Sequence, residues 1–202
     1  MKTKLFTLLS LVLFAGALTA QPLTKQERKE AIKYIKWTSK ELMKSLKGLS
    51  TAQMNYHPGK GQWSPQDCLY HIAFSEGALR GMLDQTLAAP ADPAAGTEVK
   101  VTDEQVKKMV TDRSNKVKTG EPFEPQNTGF KSAADAMTAF KAKRAALIEL
   151  VKTSNADFRN HVITLPFGKI DGYQGLYFLA GHTYRHTLQI QEAKASAGYP
   201  KS

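Results

Sequence analysis

The stretch DGYQGLYFLAGHTYRHTLQIQEAKAS, residues 171–196, has the features of a complete long helix. Its opening DGYQ has the spacing of a capping box, in which two side chains satisfy free N–H groups of the first turn. Within the stretch, His182 and His186 lie four positions apart and Gln189 follows three further on, so all three share one helical face. The residues around the histidines are strongly apolar, which predicts that much of this helix is buried.

Three further long segments have helical periodicity. They begin at Thr24, Ser64 and Ser132, whose side chains can accept hydrogen bonds from the first helical turn. A shorter accessory helix, capped by Thr102, is predicted in VTDEQVKKMVTDRSNKV, and loops rich in Gly, Pro and Asn join the segments. We find no strand alternation and interpret NADFRNHVITLPFGKI as an irregular connection. Long helices without βαβ alternation predict an all-α four-helix bundle.

The N-terminus is typical of a secretory signal peptide. Lys2 and Lys4 precede an uncharged apolar run over residues 5–18, and small residues close the run. A bilayer span needs about 20 apolar residues, so this run is short for one. We therefore expect a signal peptide over residues 1–20 and an exported, periplasmic or secreted domain over residues 21–202. No stable membrane insertion is expected after cleavage, and a retained anchor is the alternative.

Part of the formal net charge of +10 is ordered along the first helix. Lysines recur there every three or four residues and form one stripe: Lys25, Lys29, Lys33, Lys36, Lys40, Lys44 and Lys47. We interpret this lysine stripe as a solvated face, with contact to an anionic lipid or polymer as the alternative. Nucleic acid is not an expected partner, because no aromatic residues are interleaved with the basic ones.

His182 and His186 could bind a divalent metal ion, or they could be buried histidines with ordinary hydrogen-bond partners. HTYRH has the spacing of the zinc-protease motif HExxH, but Thr183 stands where the general base would be, so there is no reason to propose peptide hydrolysis by that mechanism. A further ligand would have to come from elsewhere, and His71 is the best candidate because its helix is apolar around it. Three neutral imidazoles would leave a coordination position open for water or substrate.

Other polar side chains are weaker candidates. The single cysteine, Cys68, could be a ligand or a neighbour one turn before His71, but a small buried apolar role is the favoured interpretation. His57 is expected on a loop surface. His161 is expected in a loop, with a role near the mouth of the site as the alternative. Glu76 is turned about 140° from His71 on the same helix, which favours helix pairing or solvent contact.

The helix of the paired histidines has two more polar side chains beside them. Gln189 could hydrogen-bond a group that supports a ligand, and Arg185 is expected to form a surface pair. No general base is evident beside the three histidines, so we assign no catalytic residue from the sequence.

The runs WSPQDCLYHIAFSE and DGYQGLYFLAGHTYRHTLQIQE, in this order, resemble the DinB-like superfamily, whose members are also called YfiT-like metal-dependent bundles. The resemblance extends to the connections PGKGQWS and LPFGKIDGYQ and covers essentially the whole chain after the N-terminal segment. It implies an up-down-down-up four-helix bundle. It also implies a metal ion held by three histidines, which correspond here to His71, His182 and His186.

The resemblance implies a class of chemistry but no substrate. Relatives include thiol-dependent S-transferases, a maleylpyruvate isomerase and proteins described as hydrolases. We therefore expect an exported metal-dependent enzyme, with zinc or nickel as the ion, acting on an unknown small molecule. The alternative is a noncatalytic metal-binding module that docks a partner. A homodimer is possible, because bundles of this kind often pair.

Overall fold

The computed structural model describes residues 21–201, so the expected signal peptide lies outside the described residues and stays a prediction. Within this range the helices, in chain order, are α1 (Lys25–Leu46), α2 (Thr51–Met54), α3 (Pro65–Ala88), α4 (Pro93–Gly96), α5 (Asp103–Thr111), α6 (Ala133–Thr153) and α7 (Gly172–Ala195). Short 3-10 turns lie at Glu121–Phe123, Pro125–Asn127 and Phe158–Asn160. None of the described helices is both long and apolar enough to span a bilayer.

The helix starts are those predicted from the sequence. The side chains of Ser64 and Asp171 accept hydrogen bonds from the third helical N–H groups, and both capping boxes are complete. Thr24 and Thr102 cap α1 and α5 in the same way, and Ser132 caps α6 by accepting from the third helical N–H group without a complete box. The expectation that the connections are loops was incomplete, because the four-residue helices α2 and α4 lie within them.

The four long helices run up, down, down and up. Tyr173 donates a hydrogen bond to the Glu27 carbonyl at 2.9 Å, and Lys194 donates to the Ser45 carbonyl at 2.8 Å, so α7 is parallel to α1. The early parts of α3 and α6 pack together in one apolar cluster, and their later parts pack together in another, so these two helices are also parallel. The predicted all-α bundle is confirmed.

Because α3 and α6 are parallel, the chain must return along the bundle between them. We call this connection, residues 89–132, the crossover; it contains α4, α5 and two of the 3-10 turns. Its longest helix, α5, packs against α7. Gly181 allows this close approach, because a Cβ atom added there would overlap with Val110 Cγ1. The crossover therefore lies directly against the turn of α7 that contains His182.

The connection before α7 was predicted to be irregular. This prediction is wrong, because the connection forms a β-hairpin. Val162–Leu165 (β1) and Gly168–Asp171 (β2) pair antiparallel, with Ile163 opposite Ile170. Both isoleucines are buried, because they fall on the face that points toward the bundle. Gly168 has φ +134°, a backbone conformation that favours glycine. Each strand has four residues, which is too short for alternation to stand out in the sequence.

A polar layer divides the core into two apolar clusters. One cluster lies around Tyr173 and Leu176, and the other lies around Cys68 and Phe140. Between them, each long helix contributes one buried polar residue, and together they form the polar layer: Thr38, Glu76, Arg144 and Thr183. The residues of the lysine stripe on α1 are all exposed, as expected for a solvated face.

Candidate metal centre

His71 of α3 and the pair His182 and His186 of α7 converge between the two helices. One nitrogen from each ring lies within 4.8 Å of the others. The Nε2 atoms of His71 and His182 are 3.2 Å apart. Ligands held about 2.0–2.1 Å from a tetrahedral zinc ion lie about 3.3 Å from one another, so this separation suits two ligands of one ion. The structure thus brings together the three histidines that the sequence singled out.

Hydrogen bonds fix the orientation of two of the rings. His71 Nδ1–H donates to the Phe123 carbonyl at 2.7 Å, and His186 Nδ1–H donates to Gln189 Oε1 at 2.9 Å. Arg113 also donates to Gln189 Oε1, which supports this orientation of the amide. An oxygen acceptor requires a proton on Nδ1, so in the neutral ring the lone pair lies on Nε2. Both Nε2 atoms are therefore available as ligands.

The three imidazoles are held in their neutral form. Burial lowers the pKa of His71. Burial also lowers the pKa of His182 to about 3, with further contributions from the charges of His71, Arg144 and Arg185. The pKa of His186 falls well below its ordinary value, first through burial and then through the other two rings. Neutral rings at pH 7 have the free lone pairs that a cation needs.

Trp63 forms an aromatic wall beside the histidines. Its ring stacks on His186, with centroids 5.6 Å apart and planes inclined by 27°, and its centroid lies 4.8 Å from that of His71. Ser64 caps α3, so Trp63 lies one residue before the cap, at the start of the helix that contains His71. The wall shields this side of the cluster from water.

A cavity of about 390 Å³ opens beside His186. Trp63, Gln189 and Arg185 form its inner wall, and the crossover forms the outer wall over residues 113–119. Arg185 donates hydrogen bonds to the carbonyls of Asp112 and Asn115, rather than forming the surface pair that we expected. The cavity gives a small molecule a place to bind next to the histidine cluster.

The polar layer anchors the turn of α7 that contains His182. Arg144 donates to Glu76 Oε1 and to Thr183 Oγ1, both at 2.5 Å, and Thr183 donates to Glu76 Oε1 at 2.8 Å. Burial raises the pKa of Glu76 and lowers the pKa of Arg144, and their mutual attraction opposes both shifts. The helix-pairing role expected for Glu76 is correct and the solvent-side alternative is wrong, since the side chain is 2 % exposed.

Comparison with known proteins identifies the family. A model of the DinB superfamily matches residues 34–190. The chain belongs to the DinB superfamily. Comparison with curated proteins gave no significant match.

The fold of this DinB superfamily member is shared with a solved structure. YfiT from Bacillus subtilis, described as "a probable metal-dependent hydrolase with an unusual four-helix bundle topology", superposes with a TM-score of 0.59. The two sequences are 13% identical, and the match covers 89% of this chain and 93% of YfiT. At this identity the likeness shows the fold.

The other candidates from the sequence lie away from the cluster in this DinB superfamily member. Cys68 is fully buried among apolar side chains, and this burial raises the pKa of its thiol. His57 is exposed, and its Nδ1 lies 2.9 Å from the Gln62 carbonyl. His161 is buried near the start of α7, where its ring nitrogens face the carbonyls of Asp157 and Ala89. His161 therefore links the start of the crossover to the connection before α7, and it does not lie at the mouth of the site.

Sequence reasoning missed three contributors to the site in this DinB superfamily member. Arg144 occupies a position of the apolar stripe of α6, between Phe140 and Leu147, and a charge in such a stripe predicts a buried partner. Trp63 directly precedes a helix cap, but nothing in the sequence indicates which way its ring turns. The Phe123 carbonyl is a backbone group, so its role depends on tertiary structure alone.

Proposed function

We propose that the chain is a metal-dependent enzyme of the hydrolase type that acts on a small molecule. The observation that supports it best is the convergence of three neutral imidazoles beside a cavity of about 390 Å³. In this proposal His71, His182 and His186 are the ligands of one divalent ion. Zinc or nickel suits a set of imidazole ligands, so we propose one of these two.

The donor set fits a divalent ion. A divalent ion in an open site polarises a substrate oxygen and lowers the pKa of water that it binds. The chain itself holds the three rings, keeps them neutral and directs two Nε2 atoms inward through Phe123 and Gln189. Trp63 limits access of water from one side, and the cavity beside His186 admits the substrate from another.

The number of ligands favours catalysis over a noncatalytic module. Among residues 21–201, the cluster consists of the three histidines, with no carboxylate or thiol completing it. Structural zinc sites usually have four protein ligands, whereas catalytic sites usually have three and an open position. The proposed reaction is therefore attack on an electrophilic centre such as an ester or amide carbonyl.

Turnover tests the proposal directly. The full chain would be loaded with zinc or nickel and assayed against a panel of activated esters, amides and phosphate esters. We expect turnover of at least one class, loss of that turnover after the ion is removed, and recovery when the ion returns. A panel including low-molecular-weight thiols and electrophiles would distinguish hydrolysis from transfer to a thiol. Turnover that survives removal of the ion would contradict the proposal.

Gln189 is expected to act as a positioning residue for His186. Replacing Gln189 with alanine removes the acceptor at 2.9 Å that fixes the Nδ1 proton, so the ring can turn or change tautomer. Loss of such a partner typically lowers metal affinity by about 10–100-fold. We expect a loss of this size in zinc affinity, measured by competition with a coloured chelator.

Gln191 offers a matched control for this variant. It is a glutamine of the same helix, but it is exposed. Gln191→Ala should keep the zinc affinity of the parent protein, whereas equal affinities for Gln189→Ala and Gln191→Ala would show that Gln189 does not support the ligand.

A further inference from the structure

We propose that the cavity beside His186 binds an anionic molecule, and that Arg185, Lys116 and Lys118 attract its negatively charged group. Any role of this group in a reaction rests on the proposed function, whereas its binding in the cavity does not. The chemistry that fits is a small carboxylate or phosphate with a planar or apolar part.

The charges that line the cavity are unbalanced. Arg113 is neutralised, because it donates to both carboxylate oxygens of Glu192 at 2.6 and 2.7 Å. Lys116, Lys118 and Arg185 line the same cavity, and within the described residues none of them forms an ion pair. The remaining carboxylate of the lining is Glu124, so cations are in excess.

Arg185 is held in place without losing its charge. It donates to the carbonyls of Asp112 and Asn115, which are neutral acceptors. The same bonds tie the end of α5 and the start of the next loop to α7, next to Lys116. A half-buried charge is screened less by salt than a fully exposed one, so it attracts an anion more effectively. Arg185 is therefore a fixed positive charge in the lining of the cavity, and the exposed Lys116 and Lys118 add to it.

The aromatic part of the lining suits the rest of such a molecule. Trp63 lines the cavity and presents an aromatic surface beside His186. A planar or apolar group can pack on the indole while its anionic group lies near the cations. This arrangement would place the reactive part of the molecule next to the histidine cluster.

The experiment uses Trp63 as the reporter. The chain has two tryptophans, and a Trp37→Phe variant leaves Trp63 as the single one. Nitroaromatic compounds quench indole fluorescence, so the variant would be titrated with 4-nitrobenzoate and with its neutral analogue 4-nitrobenzamide. A third titration with 4-nitrophenyl phosphate would compare the two anionic groups. Each titration is run on the full chain as isolated and again after metal removal, because an ion could itself attract an anion.

We expect 4-nitrobenzoate to bind about tenfold more tightly than 4-nitrobenzamide, with or without metal. In Lys116→Ala/Lys118→Ala this preference should fall by about fivefold, and 0.5 M salt should weaken it in the parent. Lys141→Ala/Lys152→Ala is the matched control, since it removes the same charge from an exposed part of α6.

Two outcomes would overturn the inference: equal affinities for the two probes, or an equal loss of preference in both lysine double variants. Neither outcome depends on metal content or on turnover. The inference can therefore fail while the proposed function holds, and the proposed function can fail while the inference holds.

Discussion

Replacing His182 with alanine is expected to abolish stoichiometric metal binding. The parent chain should retain about one zinc or nickel ion after dialysis, and the variant should retain none. His182 Nε2 lies 3.2 Å from His71 Nε2, so the substitution removes one atom of this pair and leaves two histidines. Loss of a supporting hydrogen bond costs about 10–100-fold in affinity, and loss of a ligand should cost more than that. Elemental analysis of the dialysed proteins measures the outcome.

His57→Ala is the control for this experiment, because it removes an exposed imidazole away from the cluster. It should retain the same amount of metal as the parent. Far-ultraviolet circular dichroism would establish that His182→Ala is folded, since the ring is part of a packed helix. If folded His182→Ala still retained one ion per chain, His182 would not be a ligand.

Replacing Arg144 with methionine is expected to destabilise the protein by about 3–5 kcal/mol. Glu76 is 2 % exposed, and its carboxylate lies 2.5 Å from the Arg144 guanidinium. The substitution therefore leaves a buried carboxylate without its partner. It also removes the donor to Thr183, beside His182. The free energy of unfolding would be measured by urea denaturation of the metal-free proteins, so that metal binding does not contribute.

Arg144→Met/Glu76→Leu distinguishes a missing charge from a packing defect. Apolar replacement of both members of a buried ion pair is often neutral or stabilising, so the double variant should regain most of the loss. Arg80→Met is the surface control, because Arg80 pairs with Asp84 at 2.7 Å in partly exposed positions and should change stability by less than about 1 kcal/mol. A double variant no more stable than Arg144→Met would show that packing, and not an unpaired charge, causes the loss.

The helices were predictable because their start residues act locally. Ser64 with Asp67, and Asp171 with Gln174, form their capping boxes within a single turn, so the sequence alone determines them. The helix directions depend on long-range packing, and the resemblance to a known family supplied them. The hairpin before α7 was missed because its strands are short and are stabilised by burial of Ile163 and Ile170 against the bundle.

The part of the site that consists of side chains with distinctive chemistry was predictable from the sequence. His182 and His186 share a helical face by spacing alone, whereas His71 required the assumption that its helix faces theirs. Gln189, the partner of His186, shares this face by spacing as well, but the partner that orients His71 could not be found in this way. It is the Phe123 carbonyl, a group that every residue possesses, and the contact joins positions 52 residues apart in the chain. Such contacts exist only after the crossover has folded against the bundle.

The crossover between α3 and α6 has an evolutionary consequence. Two parallel neighbours need a long return path, and here the same path supplies the Phe123 carbonyl and one wall of the cavity. The three histidines belong to the helices, while one wall of the cavity that would select a substrate belongs to the return path. Mutation and insertion in that path could alter which compounds are accepted while the ligand cradle stays intact. Exchange of this segment between related proteins is therefore a direct route to new selectivity on an inherited scaffold.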